Sequence, residues 1–183
     1  MPQLLVTPPV AEPVSLSEAK LHLRIDDNAD DVLIGALITA ARQHAEHDLR
    51  RALVSQTWKQ VLDQFPTEED KAITLALAPV ASVVSVVYID ADGQEQTLVP
   101  SGYKLDNITE PCRLVPAYGT TWPDTRCEIN AVSITYTCGY GAPESVPESI
   151  KRWMLLRIGA LYENREEVLA GRSIMLAPLP FVD

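Results

Sequence analysis

A chain of 183 residues is long enough for one domain with a real core, or for a domain carrying an insertion, and too short for two full domains. Its 46% hydrophobic and 22% charged residues are those of a folded globular chain, which excludes intrinsic disorder. A net charge of -10 repels phosphate backbones and argues against tight DNA binding by the surface as a whole.

The first residues, "MPQLLVTPPVAEPV", contain four prolines and no basic residue. They lack the basic start of a secretory signal, and Pro2, Pro8, Pro9 and Pro13 predict an extended arm over residues 1–13. Ser15 and Glu18 then form a capping-box pattern ahead of Leu16, Ala19 and Leu23, so a short helix is expected, ending near Ile25. After "DDNADD" the strongest periodicity of the chain begins. Leu33, Leu37, Ala40, Ala41, Ala45, Leu49 and Ala52 recur at helical spacing, and a helix of about 23 residues from Asp30 to Ala52 would run roughly 35 Å. Arg42, Glu46 and Arg50, spaced by four, read as surface pairs worth a few tenths of a kcal/mol each.

From Val54 the texture changes to short alternating or apolar runs between turns, the pattern of strands. Strands are expected at Thr57–Leu62, Ile73–Leu77, Val83–Ile89, Glu95–Val99, Arg113–Val115 and Ala131–Thr137, with "DADGQ" as a hairpin turn. The longest uncharged run, Ala72 to Ile89, is interrupted by Pro79 and has the Val-rich texture of a strand, not of the roughly 20-residue apolar helix that spans a bilayer. No membrane contact is expected. "TYTCGYG" differs at one place from the TVGYG filter of potassium channels, but without spanning helices it reads as a strand, a glycine-permitted turn and a helix start. Ser145, Pro147 and Glu148 open the last helix, which Ile150, Trp153, Met154 and Leu161 continue and Gly171 stops. The apolar tail "SIMLAPLPFVD" is barred from helix by Pro178 and Pro180, and either folds back or is received by a neighbour.

Candidate sites in these elements are few. Asp26, Asn28 and Asp30 occupy the first, third and fifth places of a calcium loop, but Asp31 stands where glycine is needed and Leu37 where the bidentate glutamate should be. Those carboxylates are expected to cap the long helix instead. His44 and His47, with Asp48, could share a metal only if another ligand arrived from elsewhere, which keeps a metal-dependent hydrolase as an alternative reading. No nucleophile elbow, P-loop or dinucleotide fingerprint is present. Cys112, Cys127 and Cys138 are odd in number and lack C-x-x-C spacing, which suggests thiols in a reducing cytosol. Trp58 and Trp153 read as core. Thus no catalytic residue, cofactor or metal is assigned.

Taken in order, "VSLSEAKLHLRID", the acidic loop, "LIGALITAARQHAEHDLRRAL", Trp58, Pro66, the strands around "YIDADG", "WP" at Trp122 and Pro123, "YTCGYG" and "VPESIKRWMLLRIGALYENRE" resemble the head-tail connector (adaptor) family of tailed bacteriophages and prophages. The likeness runs from about residue 14 to 167. It implies an α+β fold in which residues 14–53 and 142–171 make a helical bundle of two N-terminal helices and a C-terminal one. Residues 54–141 form a small antiparallel β insertion, as in the larger variants, and residues 172–183 the tail. The resemblance further implies a non-enzymatic homo-oligomeric ring beneath the phage portal protein, joined to a downstream tail-completion protein. DNA would pass through its channel without sequence-specific binding. Such a subunit belongs to the virion and, during assembly, to the host bacterial cytoplasm. A monomeric capsid or tail assembly chaperone is the third reading. Leu4, Leu5, Val6, Trp122, Ile174, Leu176, Leu179 and Phe181 are the candidates for the subunit contact.

Overall fold

The computed structural model describes residues 2–67 and 71–164. The chain divides into two compact units. Of the described residues, one unit takes 11–54 and 141–164; the other takes 2–10, 55–67 and 71–140.

The first unit is helical, with α1 (Leu16–Leu23), α2 (Asp31–Leu49) and α3 (Glu148–Glu163). Ser15 caps α1: its hydroxyl accepts from the Glu18 amide, while the Glu18 carboxylate takes the Ser15 amide at 2.7 Å. α1 and α2 end on Arg24 and Arg50, both in the left-handed region, so α2 stops short of the predicted Ala52. Ile34, Ile38, Ala41 and Ala45 on α2 are buried, as are Ile150, Trp153, Met154 and Ile158 on α3, and α1 contributes Ala19. Each large apolar side chain removed from water contributes about 1.5–3 kcal/mol.

The second unit is antiparallel throughout. Its five-stranded sheet has the order β1 (Gln3–Thr7), β2 (Gln56–Leu62), β8 (Val132–Cys138), β4 (Val80–Ile89) and β5 (Glu95–Thr97). A three-stranded sheet follows the order β3 (Ile73–Thr74), β7 (Arg113–Pro116) and β6 (Tyr103–Asp106). Period-two alternation places Val132, Ile134, Tyr136 and Cys138 on the buried face, opposite Leu62, Gln60, Trp58 and Gln56 of β2. The "DADG" hairpin forms as read: the Asp90 carboxylate accepts from the Gln94 amide at 2.8 Å, and Gly93 supplies φ +82°.

The fold is therefore mixed α+β, but the expectation of a small β region is corrected, because eight strands in two sheets are present among the described residues. Two of them come from segments with no strand signal strong enough to read. Gln3–Thr7, expected as a free arm, pairs with β2 from Gln3 opposite Gln60 to Thr7 opposite Thr57. Tyr103–Asp106, a short polar stretch, pairs with β7.

Candidate functional site

The charged residues of the helical unit form a framework, not a reactive centre. Arg42, read from its spacing as a surface residue, is 7% exposed. Its Nε donates to Glu12 and a terminal nitrogen to Glu46, both at 2.7 Å. The Thr39 hydroxyl completes Glu12 at 3.0 Å, and Glu46 also accepts from the Leu53 amide at 2.9 Å. Burial works against the charge of Arg42, but the two carboxylates outweigh it and hold the guanidinium above its ordinary pKa. The i,i+4 reading saw Glu46 and missed Glu12, which arrives from thirty residues away.

The acidic loop is likewise occupied. Asp30 makes no side-chain cap, contrary to expectation; its carboxylate receives the Tyr162 hydroxyl from α3. Lys20 of α1 reaches Asn28 and Asp31, each at 2.7 Å. These bonds tie the three helices together through the turn that precedes α2.

His44 and His47 do not converge on a third ligand, and no group of three or more His, Cys, Asp or Glu able to hold a metal occurs among the described residues. The His44 ring lies edge-on to Trp153 at 5.6 Å, and its Nε2 faces Asp48 at 3.3 Å. "TCGYG" closes β8 at Cys138, turns through Gly139 and Gly141 at φ +117° and +110°, and passes through a 3-10 turn at Pro143–Ser145 into α3. No described helix is long and apolar enough to cross a membrane.

Trp122, expected at a subunit contact, is 8% exposed and belongs to the interior of the β unit. Its ring stacks on Phe65 at 4.8 Å and its Nε1 donates to the Lys71 carbonyl at 2.7 Å, so both its apolar face and its polar edge are already used. Lys71 and Phe65 are far from it in sequence, and no local pattern announces them.

Leu4, Leu5 and Val6 are 63%, 40% and 50% exposed, three consecutive apolar residues on a strand whose second edge pairs with no described strand. The Val61 amide donates to the Pro2 carbonyl, so by alternation the backbone groups of Gln3 and Leu5 point away from β2, outward from the sheet. Such an edge is a template for another strand, bracketed by Pro2 and by Pro8 and Pro9. Ile174, Leu176, Leu179 and Phe181 lie outside the described residues.

Residues 13–96 match the sequence model of the phage gp6-like head-tail connector proteins. Over those residues, just under half of the chain, it is similar to that family. No curated protein sequence matches it. Among solved structures, a chain in the neck of an empty gene transfer agent (GTA) particle computed with C6 symmetry is similar, with 25% identity, TM-score 0.79, and coverage of 95% of this chain and 90% of that one. A chain in the virion of a native GTA particle matches equally well, at 25% identity and TM-score 0.79 over 94% and 89% of the two chains. A third, in the neck of a native GTA particle computed with C12 symmetry, has 25% identity and TM-score 0.70 over 98% and 92%. These structural matches span both units of the chain, not the helices alone.

Proposed function

We propose that this chain is a head-tail connector, a structural subunit of a closed ring between head and tail of a phage-like virion, docked to the portal above and to a tail-completion protein below, with DNA passing through its centre. The observation that carries the reading is the likeness over 95% of the chain to a neck chain of a gene transfer agent particle. A cyclic ring repeats one heterologous contact, in which two different patches of each copy meet. The β1 edge with Leu4, Leu5 and Val6 is one such patch, and the tail residues Ile174, Leu176, Leu179 and Phe181 are proposed to contribute to the contact. Trp122, already committed to its own unit, is withdrawn from the set. The net charge of -10 suits a passage along which DNA slides without adhering.

The experiment is to produce particles with and without the gene and to image the neck by electron cryomicroscopy. The expected result is a ring of this chain seated on the portal, with tails missing when the gene is deleted. Tailed, infectious particles from the deletion, or a chain that leaves the particle before completion, would refute a structural role. A double substitution Leu4→Lys and Leu5→Lys should leave the fold intact and reduce ring incorporation at least tenfold. Full incorporation would remove the β1 edge from the contact.

A further inference from the structure

Both outer strands of the five-stranded sheet leave backbone groups unused. The Asp90 amide donates to the Gln94 carbonyl and the Leu98 amide to the Val86 carbonyl, so Gln94, Gln96 and Leu98 face β4. Alternation then turns the amides and carbonyls of Glu95 and Thr97 on β5 outward, as it does those of Gln3 and Leu5 on β1. No described strand takes up either edge, and β5 is exposed along its whole length. Where β4 runs on past β5, register shifts at Val80/Ser82 and Val83/Ser85 make that part of the edge irregular, which discourages pairing there.

The two outer strands also match in direction. Five strands, each antiparallel to the next, leave β1 and β5 running the same way. Neighbours in a closed ring are related by a rotation about its axis, small when the copies are many, which nearly preserves strand direction. The β5 edge of one copy therefore meets the β1 edge of the next as a parallel pair, whereas β1 against β1 would be antiparallel and close a two-fold dimer.

Charge selects the register. Leu4, Lys59 and Glu95 line one shallow depression on the open face of the sheet, and Lys59 of β2 stands directly opposite Leu4. Neither Lys59 nor Glu95 has an ion pair among the described residues, and within one copy they stand three strand spacings apart, about 14 Å. With Leu5 of one copy opposite Gln96 of another, Glu95 falls in one row with Leu4 and Lys59, two spacings or about 10 Å from the lysine backbone and within the combined reach of the two side chains.

We propose that the β5 edge of one copy pairs in parallel with the β1 edge of the next, making their sheets continuous. The Thr97 amide donates to the Leu5 carbonyl, the Leu5 amide to the Glu95 carbonyl and the Glu95 amide to the Gln3 carbonyl, while Glu95 meets Lys59 across the junction. This pairing rests on the ring reading and supplies the second of the two patches that a heterologous contact needs.

The test uses assembled particles carrying the full chain with Cys127→Ser, which removes the exposed native thiol. Leu5→Cys and Gln96→Cys are introduced singly and together, and the particles are oxidised; adjacent strands lie about 4.8 Å apart, within the span of a disulfide. The double variant should give a ladder of covalent oligomers of this chain on non-reducing gels, and each single variant a monomer. In a second arm, Lys59→Glu or Glu95→Lys alone should lower ring incorporation about tenfold at low salt, and the two together should restore it to within about threefold. A sheet that had merely failed to fold would not be rescued by the second reversal. The pairing is overturned by a covalent dimer from Leu5→Cys alone, which would set β1 against β1, or by charge reversals that do not compensate. Absence of the ladder from particles whose neck still holds the ring overturns it and leaves the ring standing. Particles of the unsubstituted chain that hold no ring remove both.

Discussion

The two units satisfy their buried polar groups by different chemistry. In the helical unit a guanidinium sits between two carboxylates, Glu12 and Glu46, and one of those carboxylates also takes the Leu53 amide. In the β unit a neutral amide does the equivalent work. Gln60, fully buried, donates to the Thr74 carbonyl at 2.9 Å and accepts from the Ala76 amide at 3.1 Å, joining β2 to the segment that leaves β3. The contrast teaches that the buried polar contact of Arg42 rests on ionisation and that of Gln60 on amide geometry. Removing one partner of a charged trio leaves an uncompensated charge, whereas removing an amide leaves only unpaired dipoles.

Substitutions can break this contrast. Trp122→Ala should be the most damaging, because it empties the stack on Phe65 and orphans the Lys71 carbonyl; a loss of about 3–5 kcal/mol is expected in denaturant unfolding of the β unit. Arg42→Met should cost about 3 kcal/mol in the helical unit, since Glu12 and Glu46 are left part-buried without their cation. Adding Glu12→Gln and Glu46→Gln to Arg42→Met should recover part of that loss; a triple variant as unstable as the single one would show that the charges are not what matters. Gln60→Leu should cost about 1–3 kcal/mol, with little dependence on pH between 4 and 8, about the range over which neither neutral partner titrates. If its cost varied with pH as that of Arg42→Met does, the distinction between the units would collapse.

The smallest effects lie at the caps. Ser15→Ala should destabilise by about 1 kcal/mol. Glu18 lies below its ordinary value of 4.5 because the Ser15 hydroxyl, and next the Ser15 backbone, donate to it. A carboxylate lowered in the folded state stabilises fully above its unfolded value and loses that contribution as pH falls through the folded one. The acid limb of the unfolding curve should therefore begin below about pH 4.5 and be shallower in Ser15→Ala. Asp106 behaves alike, held well below the usual range by the Thr109 hydroxyl and then by Arg113. Arg113→Ala should move the same limb in the β unit, and thermal melts across pH 2–6 would read both, on the order of a few degrees.

How legible each unit was differs for the same reason. α1, α2 and α3 could be read because their information is local: the Ser15 capping box of α1, apolar spacing at three and four, and the proline immediately before α3. The "DADG" hairpin was equally local. Gln3–Thr7 was not, since "QLLVT" between prolines fits a free arm as well as an edge strand, and only β2 decides between them. Trp122 was misplaced because nothing near "TWPD" announces Phe65 or the Lys71 carbonyl. Nor could spacing along α2 reveal that Glu12 closes on Arg42 from another segment.

The sequence by itself determined the helices, the strand-rich middle, the hairpin and the order of motifs that resembles the connector family, because each rests on residues a few positions apart. Tertiary structure alone decided that the arm becomes the outer strand of a sheet, that Arg42 is buried between Glu12 and Glu46, and that Trp122 belongs to a core and not to a surface. Those outcomes depend on which distant segment meets which. A backbone donor or a buried charge takes the partner that excludes water best, and that partner need not be near it in the chain.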